Sequence, residues 1–525
     1  MTVAHSADAV TTWSAEQEAI FHWFRTSEIL ATVARSLDLF EAAVETSTHL
    51  VVEALAGTGK TTTIVKAVGY APEQRILVCA FNKRIADEVS ARLSQVNPRA
   101  TAKTLHSVGY ACIMKFWPGL RPNAEKPGTL NRADHLTEAV CGGTAPDVIK
   151  KLVSKLHTKG REIAPHARKI GDLTDIMVTF ECEPDESWDD TNFNSEYVEA
   201  RALEAMDLAA KVKPVQTGID FADMIFLPVR NAWMTKQYDL VVVDEAQDMT
   251  VAQLELAKGV CKGRIAVVGD PNQAIYAFRG ADSTSISRLR TELKAATLTL
   301  TTTYRCGRAI VARAAELVPT FRAGENNPDG EILDITEDKL VATLAHGDFL
   351  LSRVNAPLVS YAMSLLRNGK RARIAGRDIG AGLKALIRRL AKGPAAHSIP
   401  AFLTKLTAWT VREVARQSAR KVNGEIIPSA QAKIDGIHDQ AEMIASLADG
   451  ATSVNDIAGR IDALFTDDGL GQAGVITCSS VHRSKGLEAN RVFVLRNTLK
   501  FHNQEELNIQ YVAITRAKQT LVWVN

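Results

Sequence analysis

The stretch His49-Leu-Val-Val-Glu53-Ala54-Leu-Ala-Gly57-Thr58-Gly59-Lys60-Thr61 decides the fold of this 525-residue chain. An apolar, β-branched run leads into a glycine-rich turn, and an amphipathic helical pattern opens directly after it. A triphosphate needs that order of parts. Gly57, Thr58 and Gly59 let backbone N–H groups approach phosphate oxygens, Lys60 brings a point charge to the β- and γ-phosphates, and Thr61 presents a hydroxyl to Mg²⁺ at a helix N-terminus. The generic pattern asks for Gly where Ala54 stands. On these residues alone, a fortuitous glycine-rich turn is the alternative.

The second half of such a site lies further along. Leu240-Val-Val-Val243 runs into Asp244-Glu245-Ala-Gln-Asp248, which places two carboxylates at the C-terminal end of a buried strand, where doubly wound sheets hold their ligands. Asp244 suits a Mg²⁺ ligand, and Glu245 suits the group that orients and deprotonates an attacking water. The apolar lead-in argues against a surface acidic cluster.

Runs at 75–81 and 264–270 complete a first set of buried parallel strands with crossover helices. Runs at 348–354, 474–480, 490–496 and 519–524 form a second set. The expectation is an α/β protein with two parallel-sheet cores, each interrupted by a mostly helical insertion. The first core takes 1–106 and 216–295 around an insertion at 107–215, and the second takes 296–376 and 474–525 around an insertion at 377–473. Within the second insertion Leu383, Leu386, Ile387 and Leu390 share one helix face, and Lys384, Arg388, Arg389 and Lys392 the other. The acidic run Glu181, Glu183, Asp185, Glu186, Asp189 and Asp190 reads as a solvated loop.

Composition bounds the function classes. Hydrophobic residues at 46% and charged residues at 23% are ordinary for globular domains, which excludes wholesale disorder. The net charge of +2 is silent about nucleic acid, because a binding groove needs a local basic stripe. Seven cysteines, none in a C-x-x-C pair, argue against a zinc ribbon or disulfide framework and fit a reducing cytoplasm. The N-terminus has no signal-peptide pattern, and no apolar run is long enough for a membrane span.

These motifs resemble those of superfamily 1 helicases of the UvrD/Rep type, whose phosphate loop carries Ala where Ala54 stands. The other motifs follow in order. Gln17 in Ser-Ala-Glu-Gln-Glu-Ala-Ile resembles the adenine-reading Q motif, Ala80-Phe81-Asn82-Lys83 motif Ia, and Thr104-Leu-His106-Ser the next DNA-contacting motif. Val268-Gly-Asp-Pro-Asn-Gln273-Ala-Ile-Tyr276-Ala-Phe278-Arg-Gly-Ala281 resembles motif III, and Thr303-Tyr304-Arg305 motif IV. Val481-His482-Arg-Ser-Lys485-Gly486-Leu-Glu488 resembles motif V, and Tyr511-Val-Ala-Ile-Thr-Arg516-Ala-Lys518 motif VI. The likeness spans residues 17–518.

The resemblance implies two RecA-like cores of the P-loop NTPase class, with motifs I, II and III contributed by the first core. It implies ATP and Mg²⁺ as cofactors. Gln17 would read adenine, with helix capping as the plainer alternative. Gln273 would sense the γ-phosphate, Arg305 and Arg516 would act as arginine fingers, and structural ion pairing is their alternative. Tyr304 would stack on adenine, and Gly486 and Glu488 would meet the nucleotide. Phe81, Asn82, Thr104, His106, Tyr276, Phe278 and His482 would contact single-stranded DNA, aromatic platforms being the means of gripping bases without reading sequence. Core packing is the alternative for the three aromatic rings, and the register at Phe81 is ambiguous.

Residues 367–392 hold nine basic residues against Asp378 alone, a stripe able to grip the phosphates of a duplex junction or to serve as a solvated face. The reading is thus an ATP-dependent DNA helicase moving 3′ to 5′, since the Gly-Asp-x-x-Gln-Leu-Pro form of RecD-like enzymes is lacking. A translocase that strips proteins from single strands is the alternative. A non-enzymatic clamp is disfavoured by the intact set Lys60, Asp244, Glu245, Gln273, Arg305 and Arg516. The chain stops seven residues after Lys518, so no nuclease domain is expected.

Overall fold

The computed structural model describes residues 13–28, 48–122, 131–180, 182, 194–276, 285–419, 421–422, 425–426, 428–465, 474–501 and 503–525. The chain divides into two compact units, Met1–Leu173 with Tyr197–Pro271 and Gly280–Thr301, and Thr174–Glu196 with Asn272–Arg279 and Thr302–Asn525.

The first unit is built on a six-stranded sheet of β1 (Leu50–Ala54), β2 (Ile76–Ala80), β3 (Ala100–Thr104), β4 (Tyr238–Val243), β5 (Cys261–Gly269) and β6 (Ala296–Leu300). Its order is β3-β2-β4-β5-β1-β6, and every pairing is parallel. Side chains alternate between the two faces. Leu50, Val52, Ile76, Val78, Leu240 and Val242 pack with the helices Ala15–Thr26 and Lys60–Tyr70. Val51, Leu77, Val241, Val243, Ile265 and Val267 pack with Leu105–Phe116, Phe221–Arg230 and Val251–Val260 on the other face. Each fully buried aliphatic side chain contributes roughly 1.5–3 kcal/mol, so a strand buried on both faces keeps no polar alternation.

The insertion of this unit is helical, including Arg132–Cys141 and Asp147–Ile163. Its buried guanidinium groups settle on one helix of the core. Arg132 pairs with Asp223 at 3.0 Å, and Arg161 pairs with Asp223 at 2.7 Å and Asp220 at 2.8 Å. Asp220 also caps the helix Phe221–Arg230 by accepting from Asp223 N. Burying Arg132, Arg161 and Asp223 costs several kcal/mol per ion, which their mutual pairing and the half-buried Asp220 offset.

The second unit carries β7 (Thr302–Thr303), β8 (Arg322–Ala323), β9 (Glu331–Ile335), β10 (Phe349–Ser352), β11 (Ala372–Ile374), β12 (Lys421–Val422), β13 (Glu425–Ile426), β14 (Ile476–Ser480), β15 (Ala489–Leu495) and β16 (Ala517–Val524). Six of them form a second wholly parallel sheet, β11-β14-β10-β15-β16-β9. Its insertion includes Arg377–Leu390, Ile399–Ser418 and Val454–Leu464, and shares the core of the sheet through Leu383, Phe402, Leu406, Ile457, Leu350 and Ile476.

Two expectations need correction. Residues 296–300 do not open the second core: they form β6, the edge strand paired with β1, and the first unit runs to Thr301. Motif III does not belong whole to the first core, because residues from Asn272 group with the second unit. There Lys485 Nζ donates to Gln273 O at 2.7 Å and Asn508 Nδ2 to Ala274 O at 3.1 Å, taking up the carbonyls of that segment. Phe278 and, apart from Cys182, the acidic run 181–190 lie outside the described residues.

Candidate functional site

The turn after β1 has the shape its glycines were read to give. Gly57 and Gly59 have φ of 70° and 76°, left-handed values that cost a residue with a Cβ. Thr58 is buried and its hydroxyl donates to Leu55 O at 2.9 Å, closing the turn. Gly59 caps the helix Lys60–Tyr70 without a side chain, so the capping residue itself offers the first N–H groups of that helix no acceptor. An anion is the natural partner for such an end. Lys60 Nζ stands here with Glu245 Oε2 at 2.9 Å. Burial works against its charge, but Glu245 and Asp244 outweigh that and hold it above the usual lysine range.

Asp244 and Glu245 leave the end of β4 two strands away from β1, with β5 between. Glu245 has φ of 53°, the left-handed region that is uncommon for a residue other than glycine and that clusters at functional sites. Asp244 Oδ1 accepts from Glu245 N at 2.9 Å. Burial first, and the neighbouring Glu245 charge second, push the Asp244 carboxyl up to about 6 against the pull of Lys60.

Sequence reasoning missed Gln247, although it lies inside the quoted motif. Its Nε2 donates to Glu245 Oε2 at 2.6 Å, and its Oε1 accepts from Asp270 N at 3.1 Å, bridging the ends of β4 and β5. A Cβ on Gly269 would come 2.4 Å from that Oε1. The glycine is therefore needed for the close approach.

Gln17 is 5% exposed and completes the capping box of the helix Ala15–Thr26, its Oε1 accepting from Ser14 N at 3.0 Å. This is the plainer role that its sequence context allowed. Its Nε2 donates to Thr63 Oγ1 at 3.0 Å, one turn into the phosphate-loop helix, which places the amide beside Gly59. Thr61 is half-buried at the second position of that helix.

The second unit gathers the charged residues of motifs IV, V and VI. Arg305 Nε meets Glu488 Oε2 at 2.6 Å, and Lys518 Nζ meets Glu488 Oε1 at 2.6 Å. Burial raises the Glu488 carboxyl, yet Lys518 and Arg305 hold it below the usual range. Arg516 is 1% exposed, and its guanidinium donates to Val512 O, Leu487 O and Thr515 Oγ1. Burial and the Arg305 charge bring it down to about 10. Gly486 has φ of 86°, between Lys485 and Glu488. Tyr304 is 52% exposed, so its ring is available to a planar ligand.

The residues read as DNA contacts fall into two groups. In the first unit, β2 and β3 pair with Ala80 opposite Thr104, which sets Phe81 and Asn82 beside Leu105 and His106 at the C-terminal edge of the sheet. Phe81 is 43% exposed, which excludes core packing for it. Asn82 and Thr104 cap the helices that follow, accepting from Ile85 N and Ser107 N. His106 meets the ring of Phe221 edge-on at 5.6 Å, and burial lowers its pKa against the opposing pull of Glu162. Phe221 is an exposed aromatic that was not among the residues singled out from the sequence. In the second unit Tyr276 is half-buried, its hydroxyl donates to His482 O at 2.8 Å, and Lys485 Nζ stands 5.1 Å from its ring centroid.

The basic stripe at 367–392 is smaller than its sequence count. Lys370 Nζ donates to Val341 O, Ala342 O and Leu344 O, closing the C-terminal end of the helix Glu337–Thr343, while Arg367 pairs with Asp449 and Lys384 with Asp462. Arg388, Arg389 and Lys392 stay exposed.

The donor set fits a nucleotide and its metal together. Among the described residues no group of three or more His, Cys, Asp or Glu could hold a metal ion alone. Thr61 and Asp244 are the residues that would hold a Mg²⁺, with the glycine turn and Lys60 facing the phosphate charge.

Comparison with known proteins agrees. The UvrD/REP helicase N-terminal domain family matches residues 38–294, and the UvrD-like helicase C-terminal domain family matches residues 475–524. The F-box DNA helicase protein 1 of Schizosaccharomyces pombe is 26% identical over 90% of this chain and 55% of its own length. The F-box DNA helicase 1 of Gallus gallus is 24% identical over 89% and 46%. The ATP-dependent DNA helicase PcrA of Staphylococcus epidermidis is 24% identical over 55% and 40%. The chain thus spans about half the length of the curated relatives it matches. Two family matches over more than half of the sequence, on a chain whose phosphate loop and paired carboxylates stand at one edge of a parallel sheet, place it in the UvrD/Rep helicase family.

Proposed function

We propose that this chain is an ATP-dependent DNA helicase that moves 3′ to 5′ along single-stranded DNA and opens duplex junctions. The observation that carries the reading is the Lys60–Glu245 ion pair at 2.9 Å across an uncapped glycine turn, with Asp244 beside it. In this pair Glu245 occupies the cation that phosphates would claim. When Lys60 turns to phosphate, Glu245 is released to hold a water and accept its proton, with Gln247 keeping the carboxylate oriented. Mg²⁺ on Thr61 and Asp244 would supply neutralisation of phosphate charge. Gln17 and Tyr304 would take the adenine, Gln273 the γ-phosphate signal, Gly486 and Glu488 the nucleotide side of motif V, and Arg305 and Arg516 the charge on the transferred phosphoryl group. Phe81, Asn82, Thr104, His106, Tyr276, Phe278 and His482, with Phe221 added from the structure, would carry the strand. No described helix is long and apolar enough to cross a membrane, and the seven cysteines are free thiols, which supports a reducing compartment such as the cytoplasm.

One observation favours the translocase reading: with Lys370, Arg367 and Lys384 engaged internally, fewer cations remain for a duplex. ATP hydrolysis stimulated by single strands, together with opening of a 3′-tailed but not a 5′-tailed duplex, is the expected result. Stimulation without opening of either supports the translocase, and opening of the 5′-tailed duplex alone overturns the polarity.

A further inference from the structure

Three segments distant in sequence meet on the first unit at the edge of the sheet opposite the phosphate loop. The helix Leu105–Phe116 starts where β3 ends and runs back for about 18 Å. Lys115 Nζ at its far end donates to Gln237 Oε1 just ahead of β4. There Phe116 stacks parallel on Trp233 with ring centroids 5.0 Å apart, and Trp117 meets Trp233 edge-on at 4.7 Å. Lys213 Nζ donates to Pro118 O at 3.0 Å and Asn231 Nδ2 to Ala210 O at 2.9 Å, which draw residues 210–216 alongside. Phe116 is 49% exposed, Val212 48% and Val215 75%. Segments 115–121, 210–216 and 231–237 contain Lys115, Arg121, Lys211, Lys213 and Lys236 and no Asp or Glu. Lys211 pairs with Asp207. Among the described residues the other four cations make no ion pair.

We propose that this patch docks an acidic, amphipathic peptide segment of a partner protein. Cations without carboxylate partners call for acidic residues. The exposed valines and aromatic rings call for apolar anchors, as in a peptide that lays one apolar face on a surface. Single-stranded DNA fits less well. Phe116 and Trp233 spend a ring face on each other, Val212 and Val215 offer nothing to a sugar-phosphate chain, and the helix length separates the patch from Thr104 and His106. None of these residues belongs to the nucleotide or DNA machinery described above, so the patch stands whether or not the chain unwinds DNA.

The test is fluorescence anisotropy of the full chain with a labelled peptide of Asp and Glu bearing leucines at helical spacing. Saturable binding is expected, weakened about tenfold by Phe116→Ser and by the pair Lys115→Glu with Lys213→Glu, and likewise when the leucines become serines. Basal ATP hydrolysis should stay unchanged in the charge-reversed protein, which serves as the surface variant should Phe116→Ser fail to fold. Absent binding, or binding indifferent to these substitutions, overturns the proposal. So does displacement of the peptide by oligothymidylate at matched concentration, which assigns the patch to nucleic acid, or a dimer abolished by the same substitutions, which assigns it to a second copy.

Discussion

The phosphate-loop edge of the first unit and the arginine cluster of the second both bury cations, but they hold them in different ways. Lys60 is neutralised by a carboxylate side chain, that of Glu245. Arg516 is held by two backbone carbonyls and a threonine hydroxyl. A lysine on a flexible stem suits exchange between partners, and a planar guanidinium fixed along its fork suits presentation at a set place. We read the first region as arranged to change partners and the second as arranged to keep its geometry.

The largest expected effect tests exchange. Glu245→Gln removes the base and the anion that occupies Lys60, so turnover should fall by about 10³-fold while ATP binds as well or better. Steady-state hydrolysis beside equilibrium nucleotide binding checks this, and a parallel loss of both would break the comparison. Next, Arg516→Lys tests fixed geometry. A single ammonium cannot reach three acceptors along a fork, so turnover should drop by about 10²-fold, with stability reduced by roughly 1–3 kcal/mol as buried carbonyls lose their donors. Wild-type turnover in that variant would show that charge alone matters there.

Lys60→Ala should weaken ATP binding by about 1.5–3 kcal/mol, the range for a hydrogen bond to a charged group. Titration with a fluorescent ATP analogue reads it, and unchanged affinity would remove Lys60 from the phosphate site.

The smallest effect concerns Asp244, whose folded carboxyl is raised to about 6. An acid raised on folding binds its proton more tightly in the native state, so stability falls as pH climbs from about 4 to about 6, and the charged group remains a liability above that. Asp244→Asn should thus stabilise the ligand-free protein at neutral pH by on the order of 2 kcal/mol while abolishing Mg²⁺-dependent turnover. Thermal unfolding without nucleotide, across that pH window, decides it. A variant less stable than the parent at pH 7 would mean that Asp244 is held by more than the Lys60 charge.

Much of the fold was legible in the sequence, and what was missed has a common cause. The interior strands β1, β2, β4 and β5 of the first sheet, and β10, β15 and β16 of the second, announce themselves by apolar runs, because a parallel strand covered on both faces has little room for water, while interior β14 (Ile-Thr-Cys-Ser-Ser) buries its hydroxyls without such a run. The four edge strands, β3 (Ala-Thr-Ala-Lys-Thr), β6 (Ala-Thr-Leu-Thr-Leu), β9 (Glu-Ile-Leu-Asp-Ile) and β11 (Ala-Arg-Ile), lack one as well. An edge has a neighbour on one side only, so threonines and charges are tolerated there, and the run that marks a strand disappears. That is why residues 296–300 were read into the wrong core.

The site divides along the same line. Gly57, Gly59, Lys60, Asp244 and Glu245 follow one another within short motifs whose chemistry is local, and the sequence by itself determined them. The Gln247 bridge to Asp270, the Thr63 hydroxyl on Gln17, the Asn508 amide on Ala274 and the Phe221 ring on His106 join residues from 23 to 234 positions apart. Only packing brings such pairs within hydrogen-bond or ring-contact distance, because no spacing in the chain encodes a contact made across a sheet, and so the tertiary structure alone decided them.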